Sequence, residues 1–276
     1  MSPSGDGRPA GVRPAKREDR EELMHFVSRT WEWGDYVPSV WDEWLGDASG
    51  RMFVAEVDGR PVGMNHLRYL EEGVGWLEGV RVHPDYRGRG LATELGKRAI
   101  EHAKGLGADR FRLITSASNL SAQKQIARLG LSRKLSFGIF EAKGGSASVA
   151  CEPAVGGVPD LRSSHLGGFF ADRWALRSVR EYGVAKLRRE GRLFAARRDG
   201  SEAFAVADAA SFGGERFGQV SLLCGEPDLA ADLAASLAAR FSGHCYAFCS
   251  LGSGSAELLP AKGFGEPDEM LLYGAP

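Results

Sequence analysis

The chain has 276 residues, 43% hydrophobic and 26% charged, an ordinary globular balance that excludes disorder as the dominant state. A formal net charge of −1 supplies no bulk positive field, so neither nucleic acid nor an anionic membrane is an expected partner. No apolar run reaches spanning length, residues 1–7 lack a signal core, and Cys151, Cys224, Cys245 and Cys249 lack metal-ligand spacing, so we expect a cytoplasmic protein with reduced thiols and no metal.

The elements follow in chain order. A short strand at 12–15 precedes a helix to Val27, with Asp19 as its expected cap and Leu23, Phe26 and Val27 on one face. A second helix around 39–48 aligns Val40, Trp41, Trp44 and Leu45. Strands at 52–57 and 62–69 flank Asp58-Gly59, a strong hairpin signal. A third strand, 76–82, stops at His83-Pro84. Leu91, Leu95, Ala99 and Ala103 then recur every fourth residue and mark a helix to about Lys104. A strand at 111–115, a helix at 122–129 and a strand at 135–141 complete this half.

Residues 143–160 are dense in Gly, Ser and Pro and read as a linker. Beyond them the plan repeats. The segment Arg192 to Gly200 mirrors Arg51 to Gly59, and Lys262-Gly263-Phe264 mirrors Leu129-Gly130-Leu131. The interval from Asp199 to Gly263 is shorter than that from Asp58 to Gly130. The deficit falls after a strand at 220–224, where only Gly225-Glu226-Pro227-Asp228 precede a helix with Leu229, Leu233 and Leu237 in phase.

What the second half lacks is the stretch Arg87-Gly88-Arg89-Gly90-Leu91-Ala92. Gly88 and Gly90 permit backbone that turns successive N–H groups into one concavity. That concavity sits at a helix N-terminus, where unpaired N–H groups favour an anion, and Arg87 and Arg89 add fork-shaped donors. A pyrophosphate is the natural guest. A P-loop would end in Gly-Lys-Ser/Thr, and a dinucleotide fingerprint would need a third glycine where Thr93 stands.

With Val82 and Pro84 before it, this loop resembles the main motif of the GNAT acetyltransferase superfamily, Arg/Gln-x-x-Gly-x-Gly/Ala after a strand. The resemblance covers roughly residues 11–142. It implies an α/β (α+β) fold of two GNAT-like domains, each a mixed, mostly antiparallel sheet flanked by helices. The expected catalytic domain is 11–145, the linker 146–159, and a degenerate domain 160–276, as in tandem GNAT proteins. It implies acetyl-CoA as co-substrate, with pantetheine lying along the third strand on the backbone of Val80, Arg81 and Val82, the pyrophosphate on Arg87 to Ala92, and Asn119 touching the cofactor. Asn119 also reads as a helix cap.

Amine acylation needs a base, because an ammonium has no lone pair. Glu78 shares a strand face with Val80 and Val82 and is the candidate; a solvent-facing carboxylate is the alternative. Many relatives carry a tyrosine acid seven residues after the asparagine, but this chain has Ile126 there. Four of six tryptophans fall between Trp31 and Trp44. Trp41 and Trp44 read as core. Trp33, Asp35 and Tyr36 read as walls of a pocket for a small amine acceptor. His66 reads as a structural, hydrogen-bonded histidine. Residues 76–82 look similar to amino-acid N-acetyltransferases of the histidine-acetylating kind. The expected activity is acetyl transfer to a primary amine, a free amino acid first, by direct attack in a ternary complex, in a monomer or homodimer. A protein N-terminal or lysine acetyltransferase and an acyl-CoA-binding sensor are the alternatives.

Overall fold

The computed structural model describes residues 11–30, 34–142, 147–156, 165–241 and 244–275. They cluster into two compact units. One comprises Met1–Leu113, Leu120–Ser132 and Tyr273–Pro276; the other comprises Ile114–Asn119 and Arg133–Leu272.

In the first unit, β1 (Gly11–Pro14), β2 (Gly50–Val57), β3 (Arg60–Leu70) and β4 (Val74–Val82) pair antiparallel in that order. The fifth strand, β5 (Arg110–Ser116), lies parallel to β4. The β2–β3 turn forms where expected. Asp58 and Gly59 both take positive φ, 50° and 79°, the geometry that lets a two-residue turn follow the strand twist. Four helices accompany the sheet: α1 (Asp19–Val27), α2 (Val37–Leu45), α3 (Leu91–Gly105) and α4 (Leu120–Arg128). The four-residue repeat of α3 buries Leu91, Leu95, Ala99 and Ala103, as its periodicity requires. Asp19 does not cap α1. It is the first helical residue, and its carboxylate accepts from the Arg13 guanidinium at 2.7 and 2.8 Å and from the Lys16 N–H at 2.7 Å.

The remaining elements belong mostly to the second unit. In chain order they begin with β6 (Ser132–Glu141), β7 (Glu152–Pro153), the hairpin of β8 (Phe169–Asp172) and β9 (Ala175–Ser178), and short helices α5 (Val179–Tyr182) and α6 (Val184–Arg189). Then come β10 (Leu193–Arg198), β11 (Ser201–Phe212), β12 (Glu215–Gly225), α7 (Pro227–Ala238), β13 (Cys245–Cys249), α8 (Gly254–Leu258) and β14 (Asp268–Gly274). Asp199 and Gly200 turn between β10 and β11 at φ 50° and 81°, the same geometry as Asp58 and Gly59. Leu229, Leu233 and Leu237 of α7 are buried with Val220, Leu222 and Ala247 in one core cluster.

The compact units do not divide at the expected linker. Within 146–159, Glu152 and Pro153 pair with Ala195 and Phe194, and Ala154 is buried in a core cluster with Leu193. Gly/Ser/Pro composition reported exposed backbone there but not the two-residue strand that ties it down. Cys245 and Cys249 are buried, and burial pushes their thiols up to about 12 and about 11, which makes them unreactive.

The two units treat their third strand and following helix differently. In the second, α7 starts at Pro227 with Glu226 as its cap, and the Glu226 carboxylate accepts from the N–H groups of Asp228 and Leu229 at 3.1 and 2.8 Å. Parallel pairing of β12 with β13 ends at Ser221 and Phe248. Just beyond, His165 donates its N–H to the Leu223 carbonyl at 2.6 Å, and its own carbonyl accepts from the Ser250 N–H. The chain itself thus bridges the ends of those strands.

Candidate active site

The equivalent place in the first unit has no such bridge among the described residues. Parallel pairing of β4 with β5 covers only Val74 to Trp76, opposite Arg110 to Arg112. Among the described residues, the β5-facing edge of β4 has no strand partner from Leu77 onward. On the other side, β3 and β4 stay paired through an irregularity. Two steps along β3, Met64 to His66, match three along β4, Arg81 to Glu78. The extra residue makes a bulge, and Gly79 takes φ +68° within it. A Cβ on Gly79 would stand 2.5 Å from the Trp44 indole, so only glycine fits.

Beyond β4 the chain makes a short 3-10 turn, Pro84–Tyr86, and reaches α3 through two positive-φ glycines, Gly88 at 76° and Gly90 at 82°. Gly90 is the cap residue of α3 and brings no side-chain cap. The first N–H groups of a helix have no intrahelical acceptor, so Leu91 and Ala92 present theirs outward. A Cβ at Gly88 or Gly90 would meet nothing within 4 Å, so open space surrounds the turn. Arg87 and Arg89 are exposed. Arg87 Nε donates to the Val82 carbonyl at 3.2 Å, and Arg89 donates to the Asp85 carbonyl at 3.1 Å while covering the Tyr86 ring at 4.8 Å. Single bonds to carbonyls leave most of each guanidinium fork free for an anion.

Beside the bulge lies a chain of ionisable groups. Glu78, 12% exposed at its side chain, places Oε1 2.9 Å from Nδ1 of His66. His66 is fully buried, with its ring stacked on Trp44 at 4.6 Å between centroids and 10° between planes. Its Nε2 lies 3.5 Å from Asp47 Oδ2, an ion-pair distance without hydrogen-bond geometry. Burial works against charge on His66, but the Asp47 and Glu78 carboxylates outweigh it and raise the imidazole above its ordinary value. Burial likewise opposes charge on Asp47, but the nearby His66 ring and the hydrogen bonds from the Ser49 N–H and hydroxyl hold its carboxyl down at about 2. Gly50 makes room for this contact. A Cβ there would fall 2.3 Å from Asp47 Oδ2 and 2.8 Å from His66 Nε2.

On the far side of the bulge, Arg81 grips Asp35 through Nε at 2.6 Å and NH2 at 3.1 Å. The Asp35 side chain is fully buried and that of Arg81 only 13% exposed. Tyr36 borders the pair, its ring 5.3 Å from the Arg81 guanidinium and edge-on to Trp44 at 5.9 Å.

Comparisons with known proteins fit this geometry. Residues 19–131 match the model of the Acetyltransferase (GNAT) family. That stretch, about two fifths of the chain, is similar to GNAT acetyltransferases. An uncharacterised N-acetyltransferase of Methanocaldococcus jannaschii is 30% identical over 138 residues, 45% of this chain and 61% of the relative. A histidine N-acetyltransferase of Xenopus tropicalis is 28% identical over 172 residues, 59% of this chain and 53% of the relative. The chain thus spans between half and two thirds of the length of these two relatives. A solved structure of a candidate acetyltransferase from Thermoplasma acidophilum shares the fold over 96% of this chain and 93% of its own, with a TM-score of 0.57 and 22% identity.

Within residues 19–131, the structure brings Glu78, Val80, Arg81 and Val82 onto one strand that runs into the Arg87–Ala92 turn. The side chain of Leu91 belongs to the core, 4% exposed, which leaves only its N–H for a ligand. Ala92 offers its N–H while its carbonyl accepts from Gln125 at 3.0 Å. Asn119 directly precedes α4 and clusters with the second unit. Ile126 is buried, so no acid stands at that position. Trp33 lies outside the described residues. Asp35 was expected to meet an amine, but its carboxylate is already bound by Arg81, and Tyr36 is the exposed neighbour, at 41%.

Sequence reasoning missed that His66 holds Glu78, and that Trp44, read as core, also covers His66 and closes on Gly79. A signal for the first existed. A hairpin turning at Glu71-Glu72-Gly73 sets Leu70 opposite Val74, and counting back from there sets His66 opposite Glu78. Among the described residues, no group of three or more His, Cys, Asp or Glu is placed to hold a metal, and no helix is long and apolar enough to cross a membrane.

Proposed function

We propose that this chain transfers an acetyl group from acetyl-CoA to the primary amine of a small molecule, with a free amino acid as the first acceptor class. The observation that carries this reading is the edge of β4 beyond Trp76, which has no strand partner among the described residues and leads directly into the uncapped N-terminus of α3. The edge offers backbone donors and acceptors to an extended amide-bearing chain, as an added strand would use them. The helix N-terminus, two glycines and two arginines suit a pyrophosphate at the end of that chain. Bound acetyl-CoA supplies the acyl group as a thioester.

The chain's own residues then do the following. Backbone N–H groups of Gly88 to Ala92, with Arg87 and Arg89, hold the anion. The backbone of Val80 and Val82 aligns the amide segment. Glu78 takes the proton that the amine must lose as its nitrogen becomes acylated. The thiol product has an ordinary pKa near ~8.5, so it leaves as thiolate and takes a proton from solvent without a dedicated acid, consistent with Ile126. The acceptor lies toward Tyr36 and Trp44. Likeness to a histidine N-acetyltransferase supports an amino acid there.

In this reading the second unit is a GNAT-like domain without a cofactor. Glu226 occupies the helix N-terminus where a pyrophosphate would bind, and His165 fills the strand gap.

The buried Ile126 favours a second reading, a CoA-binding protein without turnover. Thiol release from acetyl-CoA, measured across free amino acids, polyamines and short peptides alongside direct CoA binding, separates the two. Turnover on one small amine, cut at least tenfold in E78Q with CoA affinity kept, supports the transferase. CoA binding with silence on every amine supports the binder, and no CoA binding removes both.

A further inference from the structure

Resting on the transferase reading, we infer that His66, backed by Asp47, is the positioning residue for Glu78, holding one carboxylate oxygen so that the other is the one that meets the amine. Among the described residues Glu78 has a single hydrogen-bonding partner, and that partner is His66 Nδ1 at 2.9 Å. A glutamate on a strand has freedom about three side-chain torsions, and a fixed donor on the neighbouring strand removes most of it. The donor is itself immobile. Trp44 stacks on one face of the ring, the ring is fully buried, and Asp47 faces its far nitrogen.

The protonation state follows from what surrounds the ring. On β4 it meets Glu78, and in the α2–β2 loop it meets Asp47. From α2 it meets the uncharged Trp44, and from β2 it meets Gly50, which has no side chain. Arg81, further along β4, is balanced by Asp35. Two carboxylates around one imidazole favour the doubly protonated ring, with an N–H for each. In that state Nδ1–H is committed to Glu78 Oε1. The amine's proton therefore goes to Oε2 and from there to solvent, while His66 keeps both of its own.

This arrangement ties the rate of the reaction to the donor at position 66. H66A removes that donor and is expected to lower kcat at least tenfold, with KM for acetyl-CoA unchanged. A glutamine at position 66 still offers a donor to Glu78, so H66Q is expected to recover most of the rate that H66A loses.

The experiment pairs those rates with a readout that needs no turnover. The histidine ring resonances of the full chain are titrated by NMR, with His66 assigned by its loss in H66Q. The expected result is a His66 titration above that of an ordinary histidine, lowered in both E78Q and D47N. A His66 signal that titrates alike in wild type, E78Q and D47N overturns the proposal, as does an H66A variant that turns over like the wild type. If no amine is acetylated by wild type, the transferase reading fails, and the NMR series alone still decides whether Glu78 and His66 are coupled.

Discussion

Arg81 and Asp35, 46 residues apart, share two hydrogen bonds of 2.6 and 3.1 Å in a pair almost wholly removed from solvent. Removing one member of a buried pair leaves the other charge uncompensated and typically costs about 3–5 kcal/mol. D35A is therefore expected to lower the denaturant midpoint substantially with the slope unchanged. Had Asp35 been a ligand for an ammonium substrate, the same change would raise KM and leave stability intact. Urea unfolding beside acceptor kinetics distinguishes the two.

Gly79 is expected to tolerate no replacement. Its φ of +68° costs a residue with a Cβ about 1–2 kcal/mol, and the added carbon would also meet the Trp44 ring at 2.5 Å. Trp44 in turn covers His66, so G79A is expected to disturb the histidine as well as the bulge. A fall in melting temperature together with a shifted His66 ring resonance is the outcome to look for. A change confined to the melting temperature would separate the bulge from the histidine.

The stability of the chain carries a His66 signature with a definite sign. Its folded value is raised above the ordinary 6.5, so its contribution is complete below that pH and is lost as pH rises through the raised value. Asp47, lowered from 3.8 to about 2, contributes above 3.8 and loses that contribution as pH falls toward 2. The excess stability of wild type over H66Q is therefore expected to be greatest at mildly acid pH and to shrink toward alkaline pH. Thermal melts of both proteins across that range test it. A gap that widens with rising pH would contradict the assignment.

Arg87 and Arg89 are exposed and contact backbone carbonyls and, for Arg89, the Tyr86 ring, so replacing both by alanine is expected to leave the fold intact. Each charge-assisted bond to a phosphate is worth about 1.5–3 kcal/mol, so R87A/R89A is expected to weaken CoA at least tenfold, with wild-type affinity falling more steeply in salt than the variant's. Calorimetric titration at two salt concentrations reads both effects.

Legibility tracked the sequence distance over which each feature is decided. The paired Asp-Gly turns were legible because a two-residue hairpin is settled by its own φ angles, and Asp58 and Asp199 share theirs. The positive φ of Gly88 and Gly90 was legible for the same reason. Helix ends drifted: α2 begins at Val37 and ends at Leu45, where a start near 39 and an end near 48 were read. Asp19 looked like a cap because its type and position suit one, but Arg13, across the strand-to-helix corner, claimed its carboxylate first. Asp35 failed for a similar reason. Its partner, Arg81, is set by tertiary packing that no local pattern reports. His66 lay within reach, since it needed only the hairpin register and not the packing of distant elements.

The His165 bridge implies a difference in when each half becomes complete. The second unit contains every segment needed to tie the ends of β12 and β13, so its amides at Ser250 and His165 are already hydrogen-bonded in the free chain. The matching edge of β4 in the first unit has no strand partner beyond Trp76 among the described residues. On the transferase reading, hydrogen exchange at residues 77–82 should slow when CoA is added, while the amides of Ser250 and His165 remain as they were. One unit closes its own strand ends, and under that reading the other would close them only around a guest.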